Sequence, residues 1–349
     1  MITKSWRTTM VCAFFLLVLS CFSIPANCQN VIALVGSGSN LPTPLYSYWN
    51  DEFNKLNPKV QVRYLSTGTV KGIDDISRGV GDFAAGEVPM SDEQLKAAST
   101  PILQIPTVLV AIVPIYHLPG IKRNLRFTGP VLAEIFLGEI KNWDDPKIRD
   151  LNPGQTLPPL AITVVHRTEG KGSNYIFSDY LSKTSAKWHG QIGKTPSPAW
   201  PVGESASRGE DMMEKVTKTS GAIGYIEMGF TLKSETVGVG LVENAGGMFV
   251  GANQASIAAA YHAHEKSVPA DFRVSLTNPP GKEAYPIVSF TWLYVPVRSS
   301  DPERSKGVAS YLEWVLSTGQ QSAERHGYTP LPESLVPKVL AKARPLSVH

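Results

Sequence analysis

From Val31 onward the hydrophobic positions fall into a repeated order: a short apolar run, a loop of Gly, Ser and Thr, then apolar residues at helical spacing. Val31 to Val35 leads through Gly36-Ser37-Gly38-Ser39-Asn40 to Leu45, Trp49, Phe53 and Leu56, which share one helical face. Val60 to Leu65 leads through Ser66-Thr67-Gly68 to Val70, Ile73 and Ile76. Ile162 to Val165 leads through the segment from Thr168 to Ser173 to Ile176, Phe177, Tyr180 and Leu181. Strand-like runs alternating with helix-like segments predict an α/β protein. The runs Val108 to Val113 and Ile287 to Val297 are long, largely apolar and rich in β-branched residues, which predicts central strands buried on both faces. If both cross between two lobes, the chain leaves the first near residue 112 and returns near residue 286. That makes lobe 1 residues 29–112 and 286–349, and lobe 2 residues 113–285. No Gly-Ser or Pro-rich linker divides them, so the strands themselves are expected to form the crossover.

The start of the chain reads differently. Lys4 and Arg7 precede an apolar run of 12 residues, Val11 to Phe22, and then Ser23, Pro25, Ala26 and Asn27. This order is that of a secretory signal, assigned to residues 1–28, and the run is too short to cross a hydrocarbon core of roughly 30 Å as a helix. The other apolar stretch, Thr100 to Tyr116, is interrupted by Pro101, Pro106 and Pro114 and suits strands better than a spanning helix. A periplasmic or extracellular location is therefore expected. Cys12, Cys21 and Cys28 all lie in or beside the leader, so no disulfide framework is available. Cys21 is the position for a lipid anchor, against which Leu19 stands one place from the usual lipobox position.

Charge narrows the partners. The leader holds two of the 33 Lys and Arg residues and none of the 30 acids, which leaves a surplus of one. A nucleic-acid partner normally needs a basic excess, so any anion specificity must come from a local site. The Gly/Ser loops supply candidates, because each sits where a strand ends and a helix begins, and free N–H groups and the helix dipole converge there. Asn40, Ser66 and Ser173 add side-chain donors, and Arg167 adds a planar fork matched to a tetrahedral oxyanion. One such loop is an ordinary turn. Three with an Arg point to anion binding.

Enzyme fingerprints fit poorly. Gly170-Lys171-Gly172-Ser173 is not a Walker A loop, since Gly172 follows Lys171 and Val165 stands at the first Gly position. The first loop lacks the third Gly of a dinucleotide turn. His262 and His264, two apart, point to different helix faces and make no metal pair. His166 should point away from Arg167 across its strand. Glu87, Glu169, Glu204 and Glu227 are scattered, and no hydrolase spacing of Ser, His and Asp stands out. A binding protein without catalysis, cofactor or metal is expected.

Several segments resemble one family in order. They are Val35 to Tyr46, with Gly36-Ser37-Gly38-Ser39-Asn40 and Pro42-Thr43-Pro44, then Gly81 to Asp92, Ile135 to Asp144, Val164 to Ser173, Trp200 to Gly203, Gly221 to Glu227 and Tyr328 to Pro332. Together they resemble the periplasmic phosphate-binding proteins of phosphate ABC transporters, from about residue 31 to residue 338. The resemblance implies a two-lobed periplasmic-binding-protein fold of type II, with phosphate held in the cleft. Carried over by position, it implies phosphate contacts at Asn40, Leu41, Ser66, Glu87, Arg167, Lys171, Gly172 and Ser173. Leu41 would act through its backbone N–H alone, and Glu169 would be the acid that positions Arg167. It also implies a monomer that delivers inorganic phosphate to a permease and ATPase complex at the membrane.

The chain departs from the family at four places, with Asn40 for Thr, Leu41 for Phe, Glu87 for Asp and Lys171 for Ser. Lys171 either adds its charge to the site or points to solvent while its N–H binds, and the second is the reading taken. Glu87 would accept the proton that phosphate carries and sulfate lacks, leaving sulfate facing a buried acceptor. Two rivals remain. One is a receptor for another oxyanion (arsenate, sulfate, molybdate or a phosphonate), and the other is a secreted phosphatase.

Overall fold

The computed structural model describes residues 31–121, 124–232, 234–298 and 301–347. The leader, its cleavage site and the anchor position Cys21 lie outside the described residues.

The first half opens with three parallel strands and their helices. β1 (Ile32–Gly38) leads to α1 (Thr43–Leu56), β2 (Val60–Ser66) to α2 (Thr69–Ser77), and β3 (Phe83–Gly86) to a short α3 (Asp92–Ala97). β2 and β3 flank β1, both parallel to it. α1 buries Leu45, Tyr46, Trp49 and Phe53 against the sheet, an apolar stripe at the expected spacing. Leu56, the helix's last residue, continues that stripe in spacing yet is 65% exposed, contrary to the sequence reading. Val70 is likewise exposed, whereas Ile73 and Ile76 are buried.

β4 (Ile102–Tyr116) is the longest strand, and every position but one is buried. Its prolines need explanation, because Pro donates no ladder hydrogen bond. Pro106 pairs at the register shift between Thr291 and Trp292, a bulge that leaves Thr107 unpaired in the ladder and free to bond through its side chain. Thr107 Oγ1 shares a hydrogen bond with the Tyr46 hydroxyl at 2.7 Å and donates to the Thr291 carbonyl at 3.0 Å.

Next come β5 (Arg126–Phe127), α4 (Gly129–Phe136), α5 (Pro146–Leu151), β6 (Thr163–Arg167), α6 (Gly172–Thr184), α7 (Ala186–Gln191), β7 (Glu204–Ala206), α8 (Gly209–Lys218) and β8 (Ala222–Glu227). β6 is parallel to both β7 and β8, which repeats the strand–loop–helix plan of the first half. Short strands β9 (Gly238–Val239), β10 (Leu241–Glu243) and β11 (Phe249–Val250) precede α9 (Gln254–His262). β12 (Val288–Pro296) then returns beside β4, followed by α10 (Pro302–Leu316), β13 (Thr329–Pro330) and α11 (Val336–Ala343).

The main sheet runs β2-β1-β3-β12-β4-β8-β6-β7. β4 pairs antiparallel with β12 through Ala111 and with β8 from Ile112 onward. A single strand therefore serves both halves of a curled, two-lobed α/β fold. Among the described residues no helix is long and apolar enough to cross a membrane.

Candidate functional site

β1, β2 and β6 each end in a loop that opens a helix, and the three loops meet. Gly38 makes the first turn possible. Its φ is +134°, and a Cβ there would sit 2.2 Å from the Ala85 carbonyl oxygen. The Gly38 carbonyl accepts from the N–H groups of Thr67 and Gly68, which fixes the second loop against the first. Asn40 Nδ2 donates to Ser66 Oγ at 2.6 Å, and Leu41 N–H donates to Ser39 Oγ at 3.1 Å. The Leu41 side chain is core, 1% exposed.

Glu87 follows the end of β3 and is wholly buried. Three hydroxyls surround its carboxylate: Ser39 (2.7 Å) and Thr69 (3.2 Å) donate to Oε2, and Thr291 (3.1 Å) donates to Oε1. Burial pushes its pKa up to about 7 against the pull of those hydrogen bonds. A carboxylate offers about four acceptor positions, so this set leaves Oε1 able to accept one more donor.

Arg167, at the end of β6, is also wholly buried. Its Nε donates to the Ala206 carbonyl and its Nη2 to the Ser207 carbonyl, at 3.3 and 3.1 Å, and the Tyr225 hydroxyl donates nothing to it but accepts its backbone N–H at 3.1 Å. Nη1 lies 3.5 Å from Glu227 Oε1 and has no hydrogen-bond partner among the described residues. Ser173 Oγ, on the first turn of α6, is buried and equally unpartnered. Burial raises the Glu227 pKa, and Arg167 opposes that shift. Two buried donors without a hydrogen-bond acceptor among the described residues, one of them in the first turn of a 13-residue helix, are of the kind that an oxyanion can take up.

The walls are in contact. Gly172, on the third loop, packs against the Glu87 carboxylate, and the Val70 N–H donates to the Gly170 carbonyl at 3.3 Å. Lys171, the N-cap of α6, donates from Nζ to Asn40 Oδ1 at 3.2 Å. Its side chain thus crosses to the first loop instead of pointing to solvent, because Asn40 supplies an acceptor where the loops meet. Burial lowers its pKa, and the neighbouring Arg167 charge lowers it further.

A second difference concerns the acid beside Arg167. Glu169 is exposed and, among the described residues, makes no ion pair with Arg167; Glu227 faces the guanidinium instead. The loop turns Glu169 outward, while β8, parallel to β6, carries Glu227 to the same strand edge. The hydroxyls of Ser39, Thr69 and Thr291 around Glu87 were not singled out from sequence. Thr291 had no signal of its own, since it reaches the site only through the pairing of β12 with β3. His166 stacks on Trp200, with centroids 5.0 Å apart.

A groove of about 500 Å³ elsewhere is lined by Met90, Tyr175, Asp179, Lys194, Arg273 and Trp292. Its charges are spent on one another: Asp179 pairs with Lys183 and Lys194, and Arg273 with Asp271 and Asp92.

Parallel strand ends, helix starts and a cleft walled by both halves define the class, a two-lobed binding protein. The PBP superfamily domain is matched over residues 25–318. The chain is 35% identical to the phosphate-binding protein PstS of Haemophilus influenzae over 87% of this chain and 90% of that one. It is 33% identical to PstS of Xylella fastidiosa over 89% of this chain and 84% of that one. The structure of PfluDING, a high-affinity periplasmic phosphate-binding protein bound with phosphate, superposes with a TM-score of 0.69 at 19% identity, covering 89% of this chain and 93% of that one. The chain belongs to the PBP superfamily and, within it, to the family of phosphate-binding proteins PstS.

Proposed function

We propose that the chain binds inorganic phosphate outside the cytoplasm and delivers it to an ABC-type importer. The observation that carries this reading is a complementary set: Arg167 Nη1 and Ser173 Oγ, two buried donors without a hydrogen-bond acceptor among the described residues, and a single remaining acceptor position on Glu87. A tetrahedral oxyanion that still bears a proton matches that set. It takes hydrogen bonds from Arg167, Ser173 and the first N–H groups of α6, and returns its own O–H to Glu87 Oε1. Sulfate has no proton to return and would leave two acceptors facing each other, at a cost of several kcal/mol. Asn40, Leu41 and Ser66 form the rim of this site, Gly172 its floor, and Lys171 its cover.

The binding cycle rests on two lobes, residues 29–112 with 286–349 and residues 113–285. The change of β4's partner at Ile112 supports a hinge there. Closure exchanges the anion's hydration for fixed donors, and opening releases it to the permease and ATPase complex. In this reading the protein acts as a monomeric receptor and not a catalyst, which the binding-protein names of its relatives support. Calorimetric titration of the chain without its leader tests this. Phosphate and arsenate should bind tightly and sulfate and molybdate far more weakly; a preference for sulfate or molybdate would overturn it.

A further inference from the structure

Four charges surround the cradle, and their sum bears on what closes it. Arg167 is already matched by Glu227 at 3.5 Å, and Glu87 adds a second buried carboxyl group. The remaining cation is Lys171, whose ammonium crosses from the N-cap of α6 to Asn40 Oδ1 at 3.2 Å. Asn40 is itself tied to Ser66 through Nδ2, so one relay of hydrogen bonds joins the loops after β1, β2 and β6. Lys171 and Asn40 are 131 positions apart in the chain and meet only because the two walls are apposed.

We infer that Lys171 is a specificity-determining clamp: it closes the cleft against Asn40 and brings the second cation that offsets the two buried carboxyl groups when a doubly charged oxyanion is held. This rests on the phosphate reading of the cradle and adds to it. Without Lys171 the Arg167, Glu227 and Glu87 set carries no surplus cation, and closing on a dianion would concentrate negative charge. With Lys171 two cations face the two carboxyl groups, and they do so only in the closed arrangement, where the ammonium reaches Asn40. In the absence of an anion the two like charges oppose closure, so the clamp holds firmly only over a filled site. Asn40 is the matching half, because its amide presents an acceptor to Lys171 and a donor to Ser66 at once.

The test uses the leaderless chain and phosphate itself, with stopped-flow tryptophan fluorescence for rates and calorimetry for affinity over a series of salt concentrations. Lys171→Met should weaken phosphate binding about tenfold or more, chiefly through faster release, and flatten its salt dependence, while the Tm stays near wild type. Lys171→Arg, which keeps the charge, should recover most of the affinity. Asn40→Ala should cost less in the Lys171→Met background than in wild type, as expected for partners. Wild-type affinity and salt dependence in Lys171→Met would overturn the clamp alone. A wild-type chain that binds no phosphate would overturn the reading of the cradle and the clamp with it.

Discussion

Gly172 and Glu87 stand on opposite walls of the cleft and touch: a methyl group added at Gly172 would lie 1.8 Å from Glu87 Oε2. Gly172 opens α6 and has no left-handed φ, so the backbone itself tolerates alanine there. The contact forbids the side chain only while the walls are together. Gly172→Ala is therefore expected to fold with unchanged or slightly raised Tm and to lose at least a hundredfold in phosphate affinity, as a clash in a fixed contact implies. Solution scattering with and without phosphate checks it. The variant should show no ligand-induced compaction where wild type does.

Arg167 cannot be removed cleanly on its own. Truncation strands Glu227, whose carboxylate is 3% exposed, so Arg167→Ala should lose binding and also about 3 kcal/mol of stability. Arg167→Met combined with Glu227→Gln removes both charges, so it should regain most of the stability without regaining phosphate. Denaturant melts beside calorimetry separate the two effects, and binding retained by either variant would take Arg167 out of the site.

Glu87 links stability to pH in the anion-free protein. Its folded pKa of about 7 lies above the ordinary 4.5, so the folded state holds the proton more tightly than the unfolded chain does. The resulting stabilisation is fully present below pH 4.5 and is lost as pH rises through 7. Glu87→Gln does not titrate. The stability difference between the two proteins should therefore shift by about 3 kcal/mol in the variant's favour between pH 4.5 and 8. Parallel stability curves would show that Glu87 keeps an ordinary pKa.

The same substitution probes selectivity. Glutamine keeps the length of the side chain but offers a donor as well as an acceptor, so the penalty against a fully ionised oxyanion should fall. Competition titrations near pH 7 should show sulfate gaining about tenfold or more relative to phosphate, with arsenate following phosphate. An unchanged ratio would move the source of selectivity away from Glu87.

Much of this site was legible because it is built from local motifs. The Gly/Ser loops after β1, β2 and β6 follow apolar runs and precede helical stripes, a pattern that fixes where N–H groups converge before any tertiary contact is known. Arg167 and Ser173 belong to one such motif, at the end of β6 and the first turn of α6. The direction of Lys171 was not legible, because its acceptor Asn40 lies 131 positions away on the other wall. The acid facing Arg167 is hidden from the sequence for the same reason. Glu169 is close in sequence, but Glu227 is brought alongside by the pairing of β6 with β8. Leu56 and Val70 fit their helical stripes in sequence yet are exposed, since periodicity does not say where the sheet beneath a helix stops.

The most direct test of the central claim is an anomalous-scattering map from a crystal of the chain soaked with arsenate, the heavier analogue of phosphate. The expected result is one strong arsenic peak within about 4 Å of Arg167 Nη1 and Ser173 Oγ, consistent with hydrogen bonds through the anion's oxygens, and beside Glu87 Oε1. A peak elsewhere, such as the groove lined by Arg273 and Lys194, with none at Arg167, would contradict it.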